Sequence, residues 1–451
     1  MATALIILAA GKGTRMDSDL PKVLHSIAHA PMLVHALKAG AWLEPERSVV
    51  VTGFGGDQVA AAARQYDPDI RIAHQSEQLG TAHAVAQARA QLDGFDGDVI
   101  VLYGDTPFIR PETLKAMTEA RVTHDVVVLG FEAADPGKYG RLITSGKDLL
   151  KIVEFKEATA EERAVTFCNS GVIAADATVL FDLIDAVGND NAAGEYYLTD
   201  IIAIAQSKGL SATAVRCDEA ETLGINSRAQ LAEAEAAFQN RARADLLTSG
   251  VTLQAAHTVH LAHDTVIGRD AEIEPNVVFG PEVTVESGAK IRAFSHLEGC
   301  HVSRGAVVGP YARLRPGAEI SEDARVGNFV EIKNAQIAEG AKINHLSYVG
   351  DADIGARANL GAGTITCNYD GVFKHRTTVG AGAFIGSNTM LVAPITVGEQ
   401  ALTASGSVIT RDVPAGDLAL ARGAQENKKG LGKRLMDKLR SRKAAKRQSN
   451  D

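Results

Sequence analysis

A chain of 451 residues is too long for a typical single domain and predicts two. Its 45% hydrophobic and 22% charged content is that of a soluble globular protein, and a net charge of −9 excludes wholesale nucleic-acid binding. Only 5% of residues are aromatic while 43 are glycine, which suits a fold of tight, repeated turns.

Residues 3–10, TALIILAA, read as a buried strand running into a glycine-rich loop. Helical and strand patterns then alternate: VHALKAGAWL is helical, SVVVTGF a strand, TAHAVAQARAQL helical, and DVIVLYGD and DVVVLGFE strands. Such alternation predicts a mostly parallel sheet covered by helices over residues 1–227. Residues 228–247 hold no Gly or Pro and are rich in Ala, Glu and Arg, so a linker helix is expected over 228–248.

After Gly250 the period changes to six. Aliphatic side chains recur at Ile267, Ile273, Phe279, Val285, Ile291 and Leu297. A five-residue step leads to Val302, Val308, Leu314, Ile320, Val326 and Ile332. Further steps lead to Ile337, Ile343 and Val349, then Ile354 and Leu360. After an interruption come Val379, Ile385, Leu391 and Val397. A hexapeptide repeat predicts a β-helix in which three flat faces close a triangular coil, spanning 249–425. The insertion between Leu360 and Val379 contains TCNYDGVFKHRT and is a place for function. The tail, 426–451, is dense in Lys and Arg, with Leu431, Leu435 and Leu439 at the spacing of a short amphipathic helix; it reads as a solvated or partly disordered tail, the alternative being contact with an acidic surface.

The cysteines Cys168, Cys217, Cys300 and Cys367 form no C-x-x-C pair, which predicts free thiols in a reducing compartment. No basic-then-apolar leader and no apolar run of about 18 residues is present, so a cytoplasmic protein without a membrane span is expected.

The first loop, LAAGKGTRMDSDLPK at 8–22, offers Gly11 and Gly13 for close backbone approach to phosphate, with Arg15 and Lys22 to neutralise its charge. It lacks the spacing of a Walker A loop and the third glycine of G-x-G-x-x-G. Asp105 ends the strand DVIVLYG, where open α/β sheets place ligands, and a carboxylate there can hold Mg²⁺ against a triphosphate. With Arg15, Pro21 and Lys22 in register, the loop resembles the signature of sugar-1-phosphate nucleotidylyltransferases. The resemblance implies binding by Leu8, Gly11, Tyr103 and Gly104, and uracil recognition by Gln75 and Gly80 with Thr81 nearby. It also implies sugar binding by Gly140, Glu154 and Asn169, and Mg²⁺ held by Asp105 and Asn226. Ser170 stands where Thr is more familiar.

The repeats resemble hexapeptide-repeat acyltransferases, and the left-handed sense of the β-helix is implied by that resemblance. The segments ARLRPGAEI, GNFVEIKNA, NHLSYVGDADIG and NLGAGTITCNYDG, together with the front domain, resemble a bacterial family of bifunctional uridylyltransferase–acetyltransferases. The likeness extends to about residue 425. It implies acetylation of glucosamine 1-phosphate by acetyl-CoA, then transfer of UMP from UTP to N-acetylglucosamine 1-phosphate. His345 is the implied general base, a role a histidine suits near neutral pH. Arg315, Lys333, Tyr348, Asn359 and Lys374 are implied for the sugar phosphate. Ala362, Asn368, Tyr369, Ser387, Ser405 and Arg422 are implied for acetyl-CoA, Ser405 standing where Ala is expected. A homotrimer is also implied. The alternative is a uridylyltransferase whose β-helix serves only for trimerisation or regulation.

Overall fold

The computed structural model describes residues 2–191 and 193–448. Two compact units divide the chain: one runs through Asp245 and takes in Leu261–His263, and the other holds Leu246–His260 and the residues from Asp264 onward.

The front unit is built on a nine-stranded sheet. Its strands are β1 (Thr3–Ala9), β2 (Arg47–Thr52), β3 (Arg71–His74), β4 (Asp98–Tyr103), β5 (Val126–Glu132), β6 (Arg141–Ser145), β7 (Asp148–Val153), β8 (Phe167–Asp176) and β9 (Ala212–Cys217), in the order β3-β2-β1-β4-β8-β5-β9-β7-β6. The pairs of β1 with β2 and β4, of β2 with β3, and of β5 with β9 are parallel. These central strands are apolar runs because both faces are buried: Ile6 and Val101 face one apolar cluster, and Ile7 and Ile100 the other.

The expected mostly parallel sheet needs one revision. β8 runs antiparallel between β4 and β5. The chain between β5 and β8 forms the β6–β7 hairpin in place of a single crossover helix, so it re-enters the sheet in the opposite sense. β8 also shifts register between Asn169 and Ile173. That irregularity re-aims the side chains of Asn169 and Ser170.

A helix forms over Arg228–Thr248. Ala234 joins an apolar cluster with Ile27, Met32, Phe108 and Ile225, and Leu231, Ala237 and Phe238 pack against that cluster, while Gln239 and Arg243 are the helix's buried polar residues. Polar contacts hold it as well. Glu235 accepts from Ala28 N at 2.7 Å, and the Gln239 amide pairs with both the N–H and the carbonyl of Leu261 at 2.9 and 2.7 Å.

The rear unit is a triangular coil of short parallel strands in three ladders. One ladder runs from Thr252–Leu253 to Leu418–Ala419, and the other two belong to the second sheet of the unit. Every aliphatic residue of the six-residue period is at most 7% exposed, so the repeat defines the core. The three five-residue steps, 297 to 302, 332 to 337 and 349 to 354, all turn the same corner, between the same two ladders. Glycine follows the aliphatic residue where the next coil comes close. A Cβ on Gly327 would lie 2.0 Å from Asn344 O, and one on Gly386 would lie 2.5 Å from Ser405 N.

The interruption after Leu360 is shorter than the sequence suggests. Thr366 takes the inward place six residues on, fully buried, and its hydroxyl bonds Gly350 N at 2.8 Å and Gly350 O at 3.0 Å. Thr403 takes the inward place after Val397, also fully buried, and its hydroxyl accepts from Gly386 N at 3.1 Å. An aliphatic search passes over both because a threonine is polar on paper and satisfied in place. The protruding loop is therefore confined to about 368–376.

The tail forms a helix, Leu431–Gln448, with Leu435 and Leu439 exposed. All four cysteines are free thiols, with burial pushing those of Cys217 and Cys300 up to about 12. Among the described residues no helix is long and apolar enough to cross a membrane.

Each coil buries its aliphatic residue against the coils above and below. Ile343→Ala should therefore destabilise the rear unit by about 2–5 kcal/mol in denaturant unfolding followed by circular dichroism.

Candidate functional site

The front unit gathers its polar residues at the carboxyl ends of β1 and β4. Lys22 begins a short 3₁₀ turn, Lys22–Leu24, directly after Pro21. Its ammonium donates to Asp105 Oδ2 and, at 3.0 Å, to Asn226 Oδ1. Gly13 has φ 61°, and a Cβ there would lie 2.6 Å from Lys22 Cβ, so only glycine lets the first loop fold back against Lys22. Asp105 is held from behind by Ile225 N, which donates to its carbonyl at 3.0 Å. Two hard oxygen donors thus converge on one cationic point. That donor set fits Mg²⁺, which takes one or two protein oxygens and fills its remaining positions with phosphate and water.

A cavity of about 300 Å³ beside this point is lined by Leu8, Gly11, Gln75, Gly80, Thr81 and Tyr103, among others. Gln75 is 4% exposed, and its amide donates to Gly80 O at 3.2 Å. Gly80 has φ 115°, and a Cβ there would meet Tyr196 O at 2.5 Å. Gly104 N donates to Leu8 O at 3.0 Å, which closes β4 onto β1.

A second cavity of about 520 Å³ shares Thr81 and Tyr103 with the first and adds Glu154 and Asn169. Tyr103 lies against Gly171, whose absent Cβ would sit 2.8 Å from the ring at φ 92°. Burial, then the nearby Asp105 and Glu154 carboxylates, push the Tyr103 phenol up, so it stays a neutral donor. Burial also raises Glu154, and Thr199 Oγ1 donates to it at 3.2 Å. Asn169 N donates to Gly140 O at 2.8 Å, which brings the two expected sugar segments together. Ser170 Oγ donates to Leu129 O at 2.7 Å, a bond that Thr would make equally well.

The structure does not bring every expected residue to the cavities. Arg15 is exposed on the turn Thr14–Met16 and lines neither. Arg141, the first residue of β6 and next to the expected Gly140, is 2% exposed and donates to the carbonyls of Pro136, Gly137 and Tyr139, so it supports the loop. Gln78 was not singled out from sequence. Its amide donates to Ala10 O at 2.7 Å and ties the 75–84 segment to the first loop.

In the rear unit His345 ends the strand Lys342–His345, exposed, with Nδ1 3.0 Å from Asn328 Oδ1. Nδ1–H donating to that oxygen leaves Nε2 with its lone pair free. Asn328 lies one coil earlier in strict register with His345. Sequence reasoning quoted its segment and missed its part, because nothing local links the two. Lys333 lies against Lys374, and the hydrogen bond and charge of Lys374, with burial, hold the Lys333 pKa below the usual lysine range. Arg315 is close enough to add to that effect, and it also donates to Glu331 Oε1 at 2.8 Å. Burial disfavours the Asp351 carboxylate. Hydrogen bonds from Asn334 and Asn368, and the charges of Lys374 and Lys333, nonetheless hold its pKa below the usual range. Asn368 donates to Asp351 Oδ2 at 2.5 Å and lies 3.5 Å from the Tyr348 hydroxyl. Asn359 pairs with Lys342 on the His345 ladder.

Of the residues expected for acetyl-CoA, Ala362, Ser387 and Ser405 stand one above another on successive coils, whereas Asn368 and Tyr369 belong to the protruding loop. Gly363 N donates to His345 O, Asn388 N to Ala362 O at 2.7 Å, and Gly406 N to Ser387 O at 2.8 Å. Arg422 donates to the backbone carbonyl of Ser405 at 2.6 Å, so exchanging Ala for Ser leaves that bond unchanged. Tyr369 is 61% exposed on the protruding loop, its hydroxyl donating to Gly371 O at 2.6 Å.

The families described as MobA-like NTP transferase domain and bacterial transferase hexapeptide match residues 5–170 and 264–299. Curated relatives named "Bifunctional protein GlmU" match almost end to end. The chain is 69% identical to that of Ruegeria sp. (strain TM1040) and to that of Ruegeria pomeroyi, in each case over 99% of both chains. It is 65% identical to that of Jannaschia sp. (strain CCS1) over 98% of both chains. A nucleotidyltransferase sheet, a hexapeptide coil and identity sustained along the whole length lead to one assignment: the chain belongs to the GlmU family of bifunctional enzymes.

Proposed function

We propose that the chain carries out two consecutive transfers in the cytoplasm, as a homotrimer and with Mg²⁺. The rear unit acetylates glucosamine 1-phosphate with acetyl-CoA. The front unit joins the resulting N-acetylglucosamine 1-phosphate to UTP, giving UDP-N-acetylglucosamine and pyrophosphate. The observation that carries the reading is the convergence of Lys22, Asp105 and Asn226 at the strand ends of a nucleotidyltransferase sheet.

In the rear site His345 Nε2 takes a proton from the sugar ammonium. The freed amine attacks the thioester carbonyl, the C–S bond breaks, and coenzyme A leaves as the thiol. Asn328 keeps the imidazole in the competent tautomer. Arg315, Lys333 and Lys374 hold the phosphate, and Tyr348 and Asn359 the sugar. Acetyl-CoA is held by Ala362, Ser387, Ser405 and Arg422 on one corner of the coil and by Asn368 and Tyr369 of the protruding loop.

In the front site a phosphate oxygen of the sugar attacks the α-phosphorus of UTP in line, and the bond to the β-phosphate oxygen breaks. Lys22 and Arg15 neutralise the charge that develops, and Gln75 and Gly80 read the uracil. Glu154, Asn169, Tyr103 and Gly140 orient the sugar. Mg²⁺, held by Asp105 and Asn226, would supply further neutralisation of the triphosphate.

His345→Ala should abolish thiol release from acetyl-CoA with glucosamine 1-phosphate and leave uridylyl transfer within about twofold, while Asp105→Ala should do the reverse. A folded protein without thiol release that still forms UDP-N-acetylglucosamine would reduce the β-helix to a scaffold. Gly171→Ala should displace Tyr103 and lower uridylyl transfer by about tenfold or more, with acetyl transfer unchanged in the same coupled assay. Affinity for glucosamine 1-phosphate should decline as pH rises through the depressed Lys333 pKa, below the ordinary lysine value of about 10.4. In Lys374→Met binding should be weaker at neutral pH but its decline should begin at higher pH, as calorimetric titration across pH would record.

A further inference from the structure

The helix Arg228–Thr248 begins two residues after Asn226, and its first side chain reaches back to the first loop. Arg228 Nε donates to Met16 O at 3.3 Å, and Arg228 Nη1 lies 3.2 Å from His25 Nδ1. Arginine can only donate, so Nδ1 accepts and the imidazole is neutral with its proton on Nε2. That Nε2 is buried without a hydrogen-bond partner, and His25 is 5% exposed. Burial, and then the Arg228 charge, keep the His25 pKa below the ordinary range, so the ring remains an acceptor.

Met16 and His25 bracket the segment that carries Lys22, and Arg15 immediately precedes Met16. Lys22 is itself bonded to Asn226, which receives a further bond at its N–H from Gln230 Oε1 at 2.8 Å. One guanidinium therefore holds both ends of the ten-residue excursion from Met16 to His25 and anchors them to the helix that follows Asn226. The excursion has little regular structure of its own beyond two short 3₁₀ turns, with Asp17 in the left-handed region at φ 47°. Met16 is buried and His25 O accepts from Met32 N at 3.0 Å, so each end is anchored separately, and the guanidinium adds the direct tie between them that fixes the spacing of the segment carrying Lys22.

We propose that Arg228 is a positioning residue for nucleotidyl transfer: by clamping Met16 and His25 it holds Lys22 in register with Asp105 and Asn226. The inference rests on the uridylyl-transfer reading above. Arg228 acts through the loop, so its loss bears on the transition state more than on nucleotide capture.

The test compares the full-length parent with Arg228→Met, Arg228→Lys, Lys22→Met and the Lys22→Met/Arg228→Met double variant, measuring both transfers. In Arg228→Met, kcat for uridylyl transfer should fall about 10- to 100-fold while KM for UTP changes less than about threefold. Acetyl transfer serves as the internal measure of folding and should stay within about twofold. Arg228→Lys, which keeps a donor but loses the fork, should recover part of kcat. In the Lys22→Met background the Arg228 substitution should cost less than about twofold, because the group it positions is gone. The inference is overturned if Arg228→Met keeps the parental kcat, if both transfers fall together, or if the two substitutions act additively. A parent chain that forms no UDP-N-acetylglucosamine overturns the uridylyl-transfer reading and this inference with it, whereas parental turnover alongside an unaffected Arg228→Met overturns this inference alone.

Discussion

One ammonium group joins the parts of the front unit. Lys22 bonds to residues 83 and 204 positions away in sequence, Asp105 and Asn226. No single element contains that site. β1 leads into the loop, β4 delivers the carboxylate, and the chain returns after β9 to deliver the amide and start the helix Arg228–Thr248. The parallel β1–β4 pair places the two strand ends side by side, and this register makes the contact possible. The two cavities lie on either side of Tyr103, whose position depends in turn on the missing side chain of Gly171.

The rear unit reaches function by a different route. Its core is a stack of nearly identical layers, and its outward positions repeat with the coil. A residue and its partner one coil away need no shared loop to meet, as Asn328 and His345 do. The cations meet by another means: Lys333 lies on the coil, and the protruding loop brings Lys374 against it. Like charges this close are destabilising in the free protein and favourable once an anion lies between them.

What the sequence discloses follows from what each contact depends on. The hexads were legible because burial at each layer requires an aliphatic side chain, and every one of those positions is buried. Thr366 and Thr403 escaped notice because their hydroxyls are satisfied by backbone groups of neighbouring coils, which no local pattern records. Asp105, Lys22 and Gln75 were found through motifs whose residue types suit phosphate and base recognition. Arg228 and Gln78 were missed because each donates to a backbone carbonyl in a distant segment, which carries no sequence signature, and the other partner of Arg228, His25, is 203 positions away. The antiparallel course of β8 was hidden for a related reason: its apolar pattern serves either direction, and only the hairpin before it determines which.

The placement of the five-residue steps bears on how such a coil can change length. Each removes one residue at the same corner, and the ladders on either side remain paired without a break. That corner behaves as an expansion joint. The face that carries Asn328 and His345 lies away from it, so gains and losses of single residues there leave the vertical alignment of those two side chains untouched. The protruding loop at 368–376 is accommodated in the same way, as a larger excursion between the same two ladders, after which the strand Thr377–Val379 resumes directly over Ala352, Asp353 and Ile354. A solenoid with one permissive corner can lengthen, shorten and acquire loops while the geometry of its remaining corners is inherited unchanged.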